Sequence, residues 1–285
     1  MKTQLHAITL LLGLLPVSSL FADGLQEASI KEAVNTVSYQ ANDSTPQKPA
    51  KTGTLIHPDN IVRTGIQSRA ELEFNDHTVT RMGASSVFTF DAKAQKLNLE
   101  QGTMLFCKPK QDSTFEISTP SATCAISGTT GFMEVLPGKN GDKSSFFFGL
   151  IEGKTKITIG GVTYPLQGGK LLIFMPNGSV RVVDFDVAAF VRKAGLIVKF
   201  KSTLPNQAEI DAAVAQYLAL VDRGFITSFD NKPQHRRFDS SEDFGFLDFA
   251  AQVDLFEQKK QAGVPQPPTP PDHCCRPPCG NNNDE

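Results

Sequence analysis

The chain contains no tryptophan and three tyrosines among its 285 residues, against 21 phenylalanines. Phenylalanine has no polar group to offer a wet surface, so this imbalance indicates that aromatic side chains mainly fill a core. Proteins that bind sugars usually present tryptophan or tyrosine as stacking platforms. The scarcity of both residues therefore disfavours carbohydrate as a ligand.

An excess of charge of either sign is also missing. The sequence has 28 lysines and arginines and 30 aspartates and glutamates, which gives a formal net charge of −2. A balanced chain has no overall field to attract a polyanion, so we expect no nucleic-acid binding. With 40% hydrophobic and 20% charged residues, the composition is typical of a folded protein with one full-sized core.

Long apolar runs are absent except at the amino terminus, from Leu5 to Leu15. Lys2 precedes this run, and small residues follow it up to Ser19 and Ala22, an order typical of an export signal cleaved after either residue. The run is shorter than the ~20 residues that a membrane-spanning helix needs. We therefore expect residues 1–22 to be a signal peptide and the protein to be exported, periplasmic or secreted, with no membrane span in the mature chain.

Cysteine is sparse, and three of the five residues adjoin His273 near the carboxyl terminus. No second cluster at finger-like spacing accompanies them, so the sequence predicts no metal site and no cofactor. Cys107 and Cys124 lie in the strand-rich part of the chain. There they form either a disulfide across neighbouring strands or two buried free thiols.

What the chain does contain is a series of short apolar segments between turn residues. From Ser68 to Phe74 apolar and charged residues alternate, the period of two expected of a half-buried strand. Asn177-Gly178 separates two apolar segments, Leu171–Met175 and Val180–Val183, and predicts a tight hairpin. Continuous apolar runs such as Phe146 to Phe148 predict strands that are covered on both faces.

A weak internal repeat accompanies these segments. LEQGTMLF from Leu99, LIEGKTKI from Leu150 and LQGGKLLI from Leu166 share a leucine and a glycine three residues later. We interpret them as equivalent corners of stacked sheets. The predicted fold class is mainly β, either a stacked two-sheet or a solenoid-like arrangement, with a Greek-key sandwich as the competing architecture.

The residue order from Ile61 to Phe90, IVRTGIQSRAELEFNDHTVTRMGASSVFTF, resembles the FecR-type domain, an all-β module of the bacterial envelope. The segments LNLEQGTMLF, FEISTPSATCA and ISGTTGF, between Leu97 and Phe132, match later landmarks of that family. The resemblance extends from about residue 34 to residue 183. It departs from the family at His77, which stands where a glycine usually follows the aspartate of the turn.

The resemblance implies a function in sensing or protein binding. The best-known FecR-type regulators receive a signal from an outer-membrane transporter and relay it to a cytoplasmic segment that controls a sigma factor. This chain has an export signal in place of that segment and its membrane span, so the relay is not carried over. We expect an exported, noncatalytic binding, sensing or scaffolding module with a protein partner in the cell envelope, and no prediction follows for its oligomeric state.

The alternative function is a secreted hydrolase or carbohydrate-active protein whose site is assembled from residues distant in sequence. The nearest approach to a catalytic triad is His77 with Asp76, Ser85 and Ser86. Turn and strand patterns explain each of these residues without catalysis. The sequence therefore predicts no catalytic residue.

The region from residue 184 to 260 is predicted to be a helical extension of the β domain. Asp186 is placed to cap a helix from Val187 to Ile197, and Asn206, with Glu209 three residues later, to cap a second helix that ends before Gly224. A third apolar stripe is expected either to dock back onto its own domain, which is the default, or to form a partner-docking helix, for which it is the first candidate. It consists of Phe244, Phe246, Phe249, Val253 and Phe256. Residues 261–285, rich in proline, cysteine and asparagine, are predicted to be a disordered tail.

Overall fold

The computed structural model describes residues 24–111, 113–138 and 144–224. Within these ranges the chain forms 17 strands followed by three helices. The predicted fold class, mainly β with helices after the strands, is confirmed. Among the residues that the structure describes, no helix combines the length and the apolar character needed to cross a membrane.

The strands form a continuous hydrogen-bonded system that is folded into two stacked sheets. Sheet A runs in the order β4 (Leu55–Ile56), β1 (Ala28–Val34), β6 (Arg69–Phe74), β7 (Val79–Met82), the second half of β9 (Lys96–Cys107), β12 (Thr130–Leu136), β13 (Ser145–Glu152), β16 (Lys170–Phe174) and β17 (Val180–Asp184). Sheet B runs in the order β3 (Lys48–Pro49), β2 (Val37–Gln40), β5 (Ile61–Thr64), β8 (Val87–Asp91), the first half of β9, β10 (Phe115–Ser118), β11 (Ala122–Ile126), β14 (Lys154–Ile159) and β15 (Val162–Gln167).

Strand β9 belongs to both sheets. Its first half pairs with β8 and β10, and its second half pairs with β7 and β12. The pairing with β10 is parallel, whereas all other strand pairs in the described part of the chain are antiparallel. The chain therefore changes sheet within a single strand, at Gln101 and Gly102.

The glycine repeat marks three places where the chain passes from one sheet to the other. Gly102 lies within β9, Gly153 joins β13 of sheet A to β14 of sheet B, and Gly169 joins β15 of sheet B to β16 of sheet A. Their φ angles are 90°, 90° and 80°, a region that favours glycine. The prediction that the repeated segments are equivalent corners of stacked sheets is confirmed.

The space between the sheets is filled by a single apolar core. Ala70, Leu72 and Phe74 of β6 point into it, as their alternation predicts. The rings of Phe74 and Phe90 meet edge to face with their centroids 5.1 Å apart. Phenylalanine thus fills the core, the use expected from its excess over tyrosine and tryptophan.

A second apolar layer lies on the opposite face of sheet A, under the three helices. These are α1 (Val187–Lys193), α2 (Gly195–Val198) and α3 (Gln207–Asp222). Phe190 of α1 stacks on Phe132 of β12 with ring centroids 4.0 Å apart, and α3 contacts both α1 and β13. Phe147 is fully buried on this face, whereas its neighbours Phe146 and Phe148 point into the core between the sheets. The expectation that this strand is covered on both faces is confirmed.

The helices differ in two details from the sequence prediction. The predicted helix from Val187 to Ile197 is divided at Ala194, which adopts an extended conformation, although Asp186 caps its start by accepting a hydrogen bond from the Ala189 amide at 2.7 Å. Asn206 occupies the cap position of α3, but its side chain does not cap the helix. It is directed instead toward sheet A.

A buried ion pair joins the helical layer to sheet A. The Arg81 side chain of β7 donates to Glu71 of β6 at 2.7 Å and to the carbonyl oxygens of Leu196 and Ser202 at 3.0 and 2.6 Å. The ring of Phe200 lies 4.7 Å from the guanidinium carbon. Glu71, which alternation alone would place in solvent, is therefore buried, because the helices cover that face of the strand.

Candidate functional site

Strand β17 forms an edge of sheet A. It pairs with β16 on one side, and no other strand in the described part of the chain pairs with it. Phe185 donates a backbone hydrogen bond to Gly169 at 3.2 Å, and the register then directs the backbone groups of Arg181 and Val183 toward β16. The N–H and C=O groups of the alternate residues, Val180, Val182 and Asp184, point to the open side.

The side chains of this edge leave it accessible. Val182 is 45% exposed. The outer strand of sheet B, β15, contains Pro165, which removes a backbone donor and obstructs the addition of another strand. Strand β17 contains no proline, so it is the more permissive of these two edges for pairing with a strand from another molecule.

The residues considered for a catalytic triad are not assembled into one. His77, with φ at 61°, is held in a turn and lies 3.3 Å from Glu73. Asp76 is buried, accepts hydrogen bonds from Thr78 and forms an ion pair with Lys108 at 3.0 Å. The Ser86 hydroxyl is buried and donates to backbone carbonyls of the same loop and of β9.

The pKa of the Glu73 carboxyl, beside His77, is lowered from its ordinary value. A hydrogen bond from Lys31 is the main cause that lowers its pKa, and His77 lowers it further. Burial acts in the opposite direction. The shift thus has its cause in surface ion pairs at 3.0 and 3.3 Å, and it does not indicate a proton-transfer site.

Cys107 and Cys124 are both free and buried, so the disulfide considered as one of two alternatives is not formed in this structure. Cys107 ends β9 in sheet A, whereas Cys124 lies in β11 of sheet B. Burial raises the pKa of the Cys107 thiol to about 11, and it raises the pKa of Cys124 as well. Both thiols are therefore protonated and unreactive at neutral pH.

Two other sequence predictions concern partners and metals. The predicted partner-docking residues Phe244, Phe246, Phe249, Val253 and Phe256 lie outside the described residues. Within residues 24–111, 113–138 and 144–224, no group of three or more histidine, cysteine, aspartate or glutamate side chains is arranged to hold a metal ion.

The outward face of sheet B carries a row of short polar side chains that crosses six strands. Each member lies opposite the next in the strand register, so neighbours are about 4.8 Å apart and the whole row spans about 24 Å. We call it the polar row. It consists of Thr89, Asn98, Ser118, Thr123, Thr158 and Thr163.

Hydrogen bonds link the two ends of the polar row but not its middle. The Asn98 amide donates to the Thr89 hydroxyl at 3.2 Å, and the hydroxyls of Thr158 and Thr163 lie 3.1 Å apart. The hydroxyls of Ser118 and Thr123, between these pairs, have no hydrogen-bond partner in the described part of the chain. Their donors and acceptors are free to meet a ligand.

An open cleft of about 310 Å³ lies at one end of the polar row, where β9 separates from β10. The two strands pair as far as Asn98, opposite Ser118. Beyond that point β9 continues beside β8 and turns into sheet A, so one flank of β9 is left without a neighbouring strand. We call this space the β9–β10 cleft, and its lining includes Thr89, Asn98, Glu100, Ser118, Thr119 and Pro120.

Sequence reasoning missed both the polar row and the cleft. Single members were visible as polar residues at alternating positions, as in the segment from Lys154 to Ile159. Their alignment depends on the register between strands and on the parallel pairing of β9 with β10, which no local pattern specifies. The available signal was the recurrence of threonine, serine or asparagine on the same face of successive strands.

The comparison with protein-family models agrees with the resemblance seen in the sequence. A family model described as FecR protein matches residues 60–156. Two crystal structures of a "putative anti-sigma factor" from Parabacteroides distasonis are similar to this chain at 14% identity, with TM-scores of 0.39 and 0.40. The matches cover 44% and 46% of this chain and 59% and 63% of those chains, which is less than two thirds of their length. No curated protein matches the chain.

Proposed function

We propose that the protein, of which residues 60–156 match the FecR family model, is an exported, noncatalytic binding module that acts in sensing or scaffolding in the bacterial cell envelope. The family match is the observation that carries the proposal. The predicted signal peptide at residues 1–22 supports export. The dispersal of His77, Asp76 and Ser86 into separate structural roles supports a function by contact alone.

The open edge of β17 is the proposed attachment point for a protein partner. An added strand would pair with the backbone groups of Val180, Val182 and Asp184, and main-chain hydrogen bonds of this kind supply affinity in strand addition. The half-exposed side chain of Val182 would pack against an apolar residue of the incoming strand. The partner is therefore an envelope protein that presents an extended segment.

Export is tested by fractionation of cells that produce the full chain. We expect the protein in the periplasm or the medium, with a mass that corresponds to removal of about 22 residues. An unprocessed amino terminus in a cytoplasmic fraction would refute the location and leave the binding proposal to be judged separately.

Partner binding is tested by a photoreactive amino acid placed at Val182, with Thr203, an exposed residue on the helical side, as the control position. We expect a discrete crosslinked envelope protein from position 182 and none from position 203. Recovery of monomer alone from both positions would count against the proposal.

The contribution of backbone hydrogen bonds to partner binding is measured by comparing Val182→Pro with Val182→Thr. Proline removes an outward N–H that β16 does not use, so the fold tolerates it, whereas the incoming strand loses a donor. We expect the partner to co-purify with V182T and not with V182P. Equal retention in both variants would exclude strand addition at β17.

A further inference from the structure

The β9–β10 cleft and the polar row together form a surface with the chemistry of a saccharide site. The members of the polar row are uncharged, and each can donate and accept hydrogen bonds, as sugar hydroxyls do. Glu100 at the cleft adds an acceptor for a bidentate contact with neighbouring hydroxyls. Pro120 adds a small apolar surface for the C–H face of a sugar ring.

The dimensions of this surface select an extended chain rather than a single sugar. The polar row crosses six strands at about 4.8 Å per strand. Each ring of an extended β-1,4-linked glycan advances the chain by nearly the same distance as one strand spacing. A glycan laid across the strands therefore places successive rings over successive members of the polar row.

The neighbouring row on the same face sets a boundary to such a ligand. The register places Asp91, Lys96 and Glu116 in line on adjacent strands, and Lys156 follows in the same row beyond Ala125. Lys96 and Glu116 are paired at 2.7 Å. Because these charges compensate one another, the face has no net attraction for an anionic polymer. The ligand that fits is a neutral chain.

We propose that the outward face of sheet B binds a neutral, extended β-1,4-linked glycan, one end of which lies in the β9–β10 cleft. Asn98 and Ser118, at the point where the strands separate, contact the ring in the cleft. Thr123 and Thr158 contact the rings that follow along the polar row. The scarcity of tryptophan and tyrosine, which disfavours a carbohydrate site built on aromatic stacking, means that binding here depends instead on many weak hydrogen bonds and on chain length.

The test is titration of the full chain with cellohexaose and chitohexaose, followed by backbone NMR shifts and calorimetry. We expect shifts at Asn98, Ser118, Thr123 and Thr158 and an affinity that rises at least tenfold from the disaccharide to the hexasaccharide. Maltohexaose, whose α-linked chain is coiled, is expected to bind at least tenfold more weakly. An absence of shifts with both β-linked hexasaccharides at millimolar concentration would overturn the proposal.

Matched variants distinguish a direct contribution of the polar row to glycan affinity from a general effect of a threonine-to-valine substitution. Thr123→Val keeps the shape and the strand preference of the side chain but removes the hydroxyl, so we expect about three- to tenfold weaker binding, the loss of one hydrogen bond. Thr203→Val, exposed on the helical side, is expected to leave the affinity unchanged. Equal affinities of T123V and the unmodified protein for cellohexaose would refute a role of the polar row, and so would equal binding of the disaccharide and the hexasaccharide.

Discussion

At the scale of single residues, Asn206 has the clearest structural role. Its side-chain amide is buried and donates to the Lys108 carbonyl at 2.8 Å, to Glu152 at 3.0 Å and to Thr130 at 3.2 Å. It therefore connects the start of α3 to β12, to β13 and to the residue that follows β9. A helix-cap motif in the sequence here marks a tertiary contact.

Replacement of Asn206 leaves the Glu152 carboxylate and the Lys108 carbonyl without this donor in a buried site. We expect Asn206→Ala to lower the free energy of unfolding by about 2–4 kcal/mol. Gln207→Ala, at the adjacent and more exposed position, is expected to change it by less than about 0.5 kcal/mol. Urea unfolding of both variants measures the difference, and similar midpoints would contradict the assigned role.

Gly102 is required for two separable reasons, a positive φ and a close approach to Ser86. A Cβ at Gly102 would lie 2.5 Å from the Ser86 Cα, whereas a Cβ at Gly53, with φ at 86°, would meet nothing within 4 Å. We expect Gly53→Ala to cost about 1 kcal/mol for the backbone conformation alone. Gly102→Ala is expected to cost about 3 kcal/mol or more, because the packing clash is added. Equal thermal unfolding of the two variants would refute the role of the close approach.

The two buried thiols are expected to be reduced and unreactive in the native protein. The pKa of Cys107, raised to about 11 by burial, keeps its thiol protonated at pH 8. Iodoacetamide should modify neither Cys107 nor Cys124 in the folded chain, and both in denaturant without reductant. Peptide mapping by mass spectrometry gives the result. A disulfide-linked peptide pair from the denatured sample would show that they are bonded.

The raised pKa of the Cys107 thiol also predicts that the free energy of unfolding decreases at alkaline pH. The unfolded chain ionises Cys107 near its ordinary pKa of 9.0, whereas the folded chain holds the proton to about 11. This contribution to stability is therefore complete below pH 9 and is lost as the pH rises toward 11. The decline of stability over that interval should be shallower in Cys107→Ala than in the unmodified protein.

At the scale of secondary-structure elements, the ion pair of Glu71 and Arg81 holds α2 and the segment after it against sheet A through hydrogen bonds. Both side chains are almost completely buried, at 3% and 1% exposure. Removing one partner leaves an uncompensated charge, so we expect Arg81→Met to cost about 3–5 kcal/mol. Combining it with Glu71→Leu should recover more than half of that loss. Urea unfolding measures the free energy of unfolding of both variants. A double variant that is no more stable than R81M would contradict this account.

Hydrogen exchange gives an independent reading of the same elements. In R81M the amides from Leu196 to Leu204 should exchange faster, because the carbonyl groups that Arg81 holds are released. Amides of β11 and β14, in sheet B, should be unchanged. A uniform increase of the exchange rates over the whole domain would indicate global destabilisation and would contradict a local role of Arg81.

The elements that were predicted well from sequence are those that local chemistry determines. The strand β6, the hairpin at Asn177-Gly178, the glycine corners and the cap at Asp186 each depend on neighbours in the chain. What was missed depends on distant residues. Glu71 is buried under the segment after α2, where Ser202, 131 residues away in the chain, donates to it, and the polar row exists because six strands are in register.

At the scale of the whole molecule, the helical layer is a necessary part of the fold. The outer face of sheet A includes Leu105, Phe132, Phe147, Ile151 and Leu171, all almost fully buried. We expect a chain that ends at Asp184 to expose this face and aggregate, because exposed apolar patches of this size promote association. A chain that spans residues 24–224 should remain monodisperse and unfold cooperatively. Size-exclusion chromatography and calorimetry compare the two, and a soluble, folded short chain would contradict the prediction.

The sharing of β9 between the sheets has a mechanical consequence. Because β9 pairs with neighbouring strands in both sheets, neither sheet can slide over the other without breaking hydrogen bonds of β9. Strand β17 is connected to β9 through β16, β13 and β12 of sheet A, and the first half of β9, with Asn98, lies in sheet B. A partner strand bound at β17 is therefore linked by an uninterrupted series of strand pairings to the sheet B face that carries Asn98.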